Sequence, residues 1–155
     1  MALEQIGNDT VEGCIVRGLH TEVIAAGATK TLLARDAGAT VLLDTATGSV
    51  ITLPVPVAGM EFDFYISTSV TSNSHQINTD AATTFIGGAI TMVIDTSATS
   101  EGQVGDETSH VTITMNGSTT GGLKGSHLKF KALSSTVWIA TGIVVGSGTL
   151  ATPYA

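Results

Sequence analysis

Apolar residues in this chain recur at every second position, in short runs, and no long segment shows them at helical spacing. Ile51, Leu53, Val55 and Val57 share one parity, and Phe62, Phe64 and Ile66 share the next. Val111, Ile113 and Met115 alternate with Thr112 and Thr114; Leu128, Phe130 and Ala132 alternate with Lys129 and Lys131. A last run sets Val137, Ile139, Thr141, Ile143 and Val145 against Trp138, Ala140, Gly142 and Val144. Successive side chains of a strand point to opposite faces, so each run has one side to bury and one to expose. Turn chemistry separates the runs: Ala37-Gly38-Ala39, residues 46–49, residues 71–74, and the Gly87-Gly88 pair, which is read as a break before Ile90. Asn116-Gly117-Ser118 opens a glycine-rich connection through Gly125, read as a hairpin. Strands about every ten residues predict an all-β fold, an antiparallel β-sandwich or barrel of jelly-roll-like kind, with short loops and little helix.

The chain has 155 residues, enough for one real core. Residues 21–155 read as a single β domain. Residues 1–20 lack clean alternation and read either as an N-terminal arm lying on a neighbour or as a first strand around Gly13–Gly18. Only 12% of residues are charged although 43% are hydrophobic, against about 25% charged in ordinary domains. Serine, threonine and glycine must cover much of the surface, and some apolar surface is expected to be buried against another protein. The balance of 6 Lys and Arg against 13 Asp and Glu gives −7. No basic run exists to neutralise phosphate, so neither nucleic acid nor an anionic membrane is expected as a direct partner. No apolar run approaches the roughly 18 residues of a membrane span, and the first residues lack the pattern of a secretory signal. Cys14, the one cysteine, excludes an intrachain disulfide and reads as a small apolar residue.

Two prolines, Pro54 and Pro56, precede a glycine turn and the run Glu61-Phe62-Asp63-Phe64-Tyr65-Ile66. Proline cannot donate to a ladder and therefore belongs at an edge or a strand end. Parity sends Phe62 and Phe64 inward and Glu61 and Asp63 outward. Two carboxylates fall short of the six or more oxygens of a calcium site.

Catalytic signals are weak. Ser74-His75, Ser109-His110 and Ser126-His127 recur, but adjacent strand residues face opposite ways, so no serine can use its neighbour as base. The pairs read as serine closing a turn and histidine opening a strand. No two histidines, His20 included, have zinc spacing. Residues 117–126 do not have the spacing of a phosphate-binding loop. Glu101, Asp106 and Glu107 read as one solvent-facing polar loop. No catalytic, metal or cofactor-binding residue is expected, and an enzyme would need His75, His110 or His127 beside a serine and an acid in a cleft.

The run KTLLARDAGATVLLDTATGSVITLPVPVAGMEFDFYISTSVTSNSHQI, followed late by SSTVWIATGIVVGSGTLATPYA, resembles the head decoration, or cement, proteins of tailed bacteriophages and related small virion structural proteins. The resemblance covers roughly residues 30–80 and 134–155; residues 81–133 match only by general character. It implies a β scaffold without an active site, made in the host cytoplasm and placed on the outer capsid surface. The implied partners are the major capsid protein and two further copies in a homotrimer. The residues expected at contacts are Leu3, Ile6, Val11 and Ile15 of the arm, with Trp138, Ile143 and Val145 in the core or the trimer seam. The alternative expectation is a carbohydrate-binding or host-adhesion module of a virion fibre. An exposed Trp138 beside Tyr65 in a groove would mark that module, because sugars stack on aromatic rings.

Overall fold

The computed structural model describes residues 21–155. The strands are β1 (Val23–Ala25), β2 (Thr29–Thr31), β3 (Thr40–Leu43), β4 (Val50–Thr52), β5 (Glu61–Ile66), β6 (His75–Asn78), β7 (Phe85–Ile94), β8 (Ser100–Asp106), β9 (Thr112–Met115), β10 (His127–Ala132) and β11 (Val137–Gly146). A 3-10 turn at Ala34–Asp36 is the only helical element among the described residues. The strands form a seven-stranded sheet, β1-β3-β5-β10-β11-β7-β8, and a four-stranded sheet, β2-β4-β6-β9. One apolar cluster draws buried side chains from both sheets, so the fold is an all-β sandwich.

Its sheets are mixed, where alternation had suggested antiparallel pairing. From β1 to β6 the chain steps from one sheet to the other and back, so β1, β3 and β5 lie parallel in the large sheet. In the same way β2, β4 and β6 lie parallel in the small one. This half is a short two-sheet coil. The second half closes it: β10 runs antiparallel to β5, and β9 antiparallel to β6. β7 joins β11 in parallel and carries β8 as an antiparallel outer strand. Side-chain parity is the same in both kinds of pairing, so the alternation could not tell them apart.

The core follows parity where strands persist. Phe62, Phe64, Ile66, Leu128, Phe130 and Ala132 are all buried. Phe64 meets Phe130 edge-on at 5.3 Å between centroids, and Phe62 packs on Trp138 at 5.9 Å. Each such buried ring contributes on the order of 1.5–3 kcal/mol. The run from Ile51 behaves differently. Ile51 and Leu53 are buried, but β4 ends at Thr52, and beyond Pro54 both Val55 and Val57 are exposed. The prolines end the strand, as their missing N–H requires; β4 itself is an inner strand.

Two further expectations are corrected. The Gly87-Gly88 pair lies inside β7 rather than before it. Gly88 has φ +92°, and a Cβ there would lie 2.3 Å from the Ala140 carbonyl oxygen, so glycine is what lets β7 and β11 approach. The stretch 117–126 is not a hairpin: it carries the chain from β9 in the small sheet to β10 in the large one. The C-terminal residues seal the small sheet. The Ala155 carbonyl accepts the Val111 and Thr112 N–H groups, and the Pro153 carbonyl accepts that of Thr114. Tyr154 packs inward, its hydroxyl donating to the Gly88 carbonyl at 3.0 Å, and burial pushes its pKa up to about 12.

His75 is a fully buried strut. Its Nδ1 accepts the Ser49 N–H at 3.0 Å, which leaves the proton on Nε2, 3.0 Å from the Thr68 carbonyl. Burial holds the imidazole below its ordinary value of 6.5, against the opposing pull of the Thr68 carbonyl and Asp44. The unfolded chain thus takes up this proton at higher pH than the folded one. The contribution to stability is whole above 6.5 and is lost as pH falls from there through the folded pKa. Urea midpoints measured between about pH 7.5 and 5 should therefore drop on the acid side. In His75→Gln the part of that slope due to this residue should vanish, while a slope identical to wild type would remove His75 as its source.

Candidate interaction surface

The small sheet covers one face of the large sheet; the residues of opposite parity on the large sheet form a second, outer face. Strand register places one row straight across it: Ala25, Leu42, Tyr65, His127, Ile143, Thr91 and Gly102, one residue from each strand. With strands about 4.8 Å apart, the row spans roughly 29 Å, the width of a protein contact rather than of a small-molecule site. Its middle is apolar and aromatic. Tyr65 stacks on His127 at 4.8 Å, and Tyr65 and Ile143 are 44% and 51% exposed. Val145 and Val93, paired with one another, extend the apolar band by one row.

Towards the other end of the same face the side chains are charged. Glu61 bridges two lysines, with Lys129 Nζ at 2.9 Å and Lys131 Nζ at 2.8 Å. Lys129 lies directly across from Asp63, and Lys131 across from Glu61. The hydrogen bonds from Lys129 and then Lys131 pull the Glu61 carboxyl down to about 2, and the same contact raises Lys129. The patch thus keeps its paired charges over all ordinary pH. An apolar band beside a charge-paired band is the composition of an interface core with a polar rim.

Ile143 and Val145, expected at contacts, both stand on this face. Trp138 does not: it is fully buried against Phe62 and reaches no surface. Leu3, Ile6, Val11 and Ile15 lie outside the described residues. Tyr65, Leu42 and His127 stand on the same face; of these only Tyr65 was singled out as a contact from the sequence, for a sugar groove, although its parity places an aromatic ring with Glu61 and Asp63 rather than with Phe62 and Phe64.

A second apolar feature is a groove of about 560 Å³ beyond the end of β4, walled by Leu33, Pro54, Val55 and Val57, with Asp80 beside them. A more polar cleft of about 530 Å³ opens between β1 and β2, with Glu22, Lys30, Arg35 and Asp36 at its rim.

The serine-histidine pairs serve structure. Ser126 Oγ donates to the Leu123 carbonyl and accepts the Val145 N–H, tying the crossover to β11. Asp106, Ser109 and His110 do meet, but in an order unsuited to nucleophile activation. The hydroxyl of Ser109 donates to the Asp106 carboxylate rather than to His110. Asp106 Oδ1 also accepts the Thr108, Ser109 and His110 N–H groups. With the Ser109 hydroxyl as the largest cause, these donors hold the Asp106 carboxyl far below the usual carboxylate range. His110 Nδ1 accepts the Asp106 N–H at 3.1 Å. The cluster caps a turn. The acidic stretch around it is also only partly a loop, because Glu101 and Asp106 belong to β8. Among the described residues, no three His, Cys, Asp or Glu side chains gather as a metal site, and no helix is long and apolar enough to cross a membrane. No family model matches the chain, and neither a curated protein nor a solved structure matches it.

Proposed function

We propose that the protein is a structural component of a bacteriophage particle, a head decoration protein that grips the outside of the shell through the outer face of its seven-stranded sheet. The observation that carries this reading is the row from Leu42 through Tyr65 and His127 to Ile143 on the outer sheet face, with Tyr65 and Ile143 exposed and Leu42 and His127 half-buried, in a chain poor in charge. A wide surface built on paired strands suits contact with another folded protein, because little ordering is lost on docking. Three copies around a threefold, the arrangement the resemblance implies, would multiply a modest contact by acting together. The sugar-binding alternative is disfavoured: Trp138 is buried and cannot stack on a ring, and Tyr65 already stacks on His127.

The test is occupancy of purified shells. The double variant Tyr65→Ser, Ile143→Ser should fold with its melting temperature nearly unchanged, since both side chains are exposed. Its binding should fall at least about tenfold, as when an aromatic anchor is removed from an interface. Wild-type occupancy by this variant would remove the face from the contact. Deleting residues 1–20 tests the arm separately. The number of copies per particle tests the position: hundreds fit decoration, a handful fit a tail or fibre.

A further inference from the structure

We propose that β8 is a pairing edge for β8 of a second copy, related by a twofold axis through Gly102. β8 is the outermost strand of the large sheet, seven residues long, bonded only to β7 among the described residues. The Ile94 N–H donates to the Thr99 carbonyl at 3.1 Å. That bond sets the phase of the antiparallel pair: Glu101, Gln103 and Gly105 turn their backbone groups towards β7, whereas Ser100, Gly102 and Val104 turn theirs outward. Natural edges of this length are ordinarily blunted by proline, a bulge or charge, lysine above all; the charges of β8 are Glu101 and Asp106. β8 has no proline and no lysine, and its register with β7 runs unbroken from Ser100 to Asp106.

Among registers centred on an outward-facing residue, the side chains fit a second copy in one. With Gly102 opposite Gly102 of the second copy, Ser100 faces Val104 and Glu101 faces Gln103 in each direction. All three outward residues then exchange bonds, about six in total. The glycines leave the axis uncrowded; a Cβ at Gly102 would touch nothing within 4 Å in the monomer. Each carboxylate of Glu101 meets an amide donor rather than another acid. Centring the axis on Val104 instead would oppose Glu101 with Glu107 and would need the Asp106 N–H, which His110 already holds. Centring it on Ser100 would run the pair into the turn before β8. In the favoured register the two Glu101 side chains are diagonal neighbours, so the contact tightens as salt rises.

The inference does not rest on shell binding, and a threefold contact elsewhere is compatible with it: the copy number must be even. Sedimentation of the full chain over a concentration series should give two copies, or six if the threefold also forms. Gly102→Pro removes one outward N–H without touching the β7 ladder and should halve the mass with an unchanged circular dichroism spectrum. A chain carrying Glu101→Cys and Gln103→Cys, with Cys14→Ser, should form a covalent dimer on oxidation, because facing residues of such a pair lie within disulfide reach. A wild-type monomer or simple trimer at every concentration overturns the proposal. So does a wild-type mass for Gly102→Pro, or an absent cross-link. If only the chain lacking residues 1–20 dimerises, the edge is occupied by the chain's own first residues, and the proposal also falls.

Discussion

Replacing Gly142 by valine is expected to leave little folded protein. Gly142 sits in β11 with φ +140°, a conformation open essentially to glycine alone. A Cβ at this position would lie 2.2 Å from the His127 carbonyl oxygen and 3.0 Å from the Leu128 Cα. Both are backbone atoms of β10, which cannot swing aside as a side-chain tip can. The backbone strain costs about 1–3 kcal/mol. Forcing the central β10–β11 pair apart adds at least about 1–3 kcal/mol more. Domains of this size are stable by about 5–15 kcal/mol in all, so even alanine should remove a large share and valine most of it. The soluble yield and urea midpoint of Gly142→Ala and Gly142→Val measure this. A midpoint for alanine within experimental error of wild type would mean that β10 and β11 are not so closely apposed.

Truncating Trp138 to alanine should cost about 3–5 kcal/mol, or roughly 6–20 °C in melting temperature for a chain of this length. The indole is fully buried, lies across from Ala132 on one neighbour and Ile86 on the other, and packs on Phe62. Trp138→Phe provides the discriminating comparison. The indole Nε1 is buried without a hydrogen-bond partner among the described residues, so phenylalanine keeps most of the packing and removes an unsatisfied donor. Its cost should stay below about 2 kcal/mol. If phenylalanine is as damaging as alanine, the N–H has a partner and the ring is held by more than packing.

Much of the core was legible in the spacing of residues. In β5 and β10 every inward position is apolar and the outward ones are mostly charged, so parity alone named Phe62, Phe64, Leu128 and Phe130. In β11 nearly every residue is apolar or small on both sides, and parity could not say which half is buried. The structure buries Trp138, Ala140 and Val144 and leaves Ile143 out. β8 was invisible: Glu101, Gly102 and Asp106 read as loop because an edge strand facing solvent needs no apolar alternation. The outer face was half legible. Ile143 and Val145 were named, but the row that makes them a surface exists only through cross-strand register.

What the amino-acid sequence determined by itself was local: strands rather than helices, most of the turns, the inward face of runs whose two sides differ in polarity, and a surface short of charge. Those follow from the two-residue period of an extended chain and from the backbone freedom of particular residues. What only the tertiary structure decided was relational: parallel coiling of the first half, antiparallel closure by the second, and the row from Ala25 to Gly102. Each of these depends on which strand lies beside which, and a hydrogen-bonded ladder accepts a neighbour of either direction without changing the side chains that face the core.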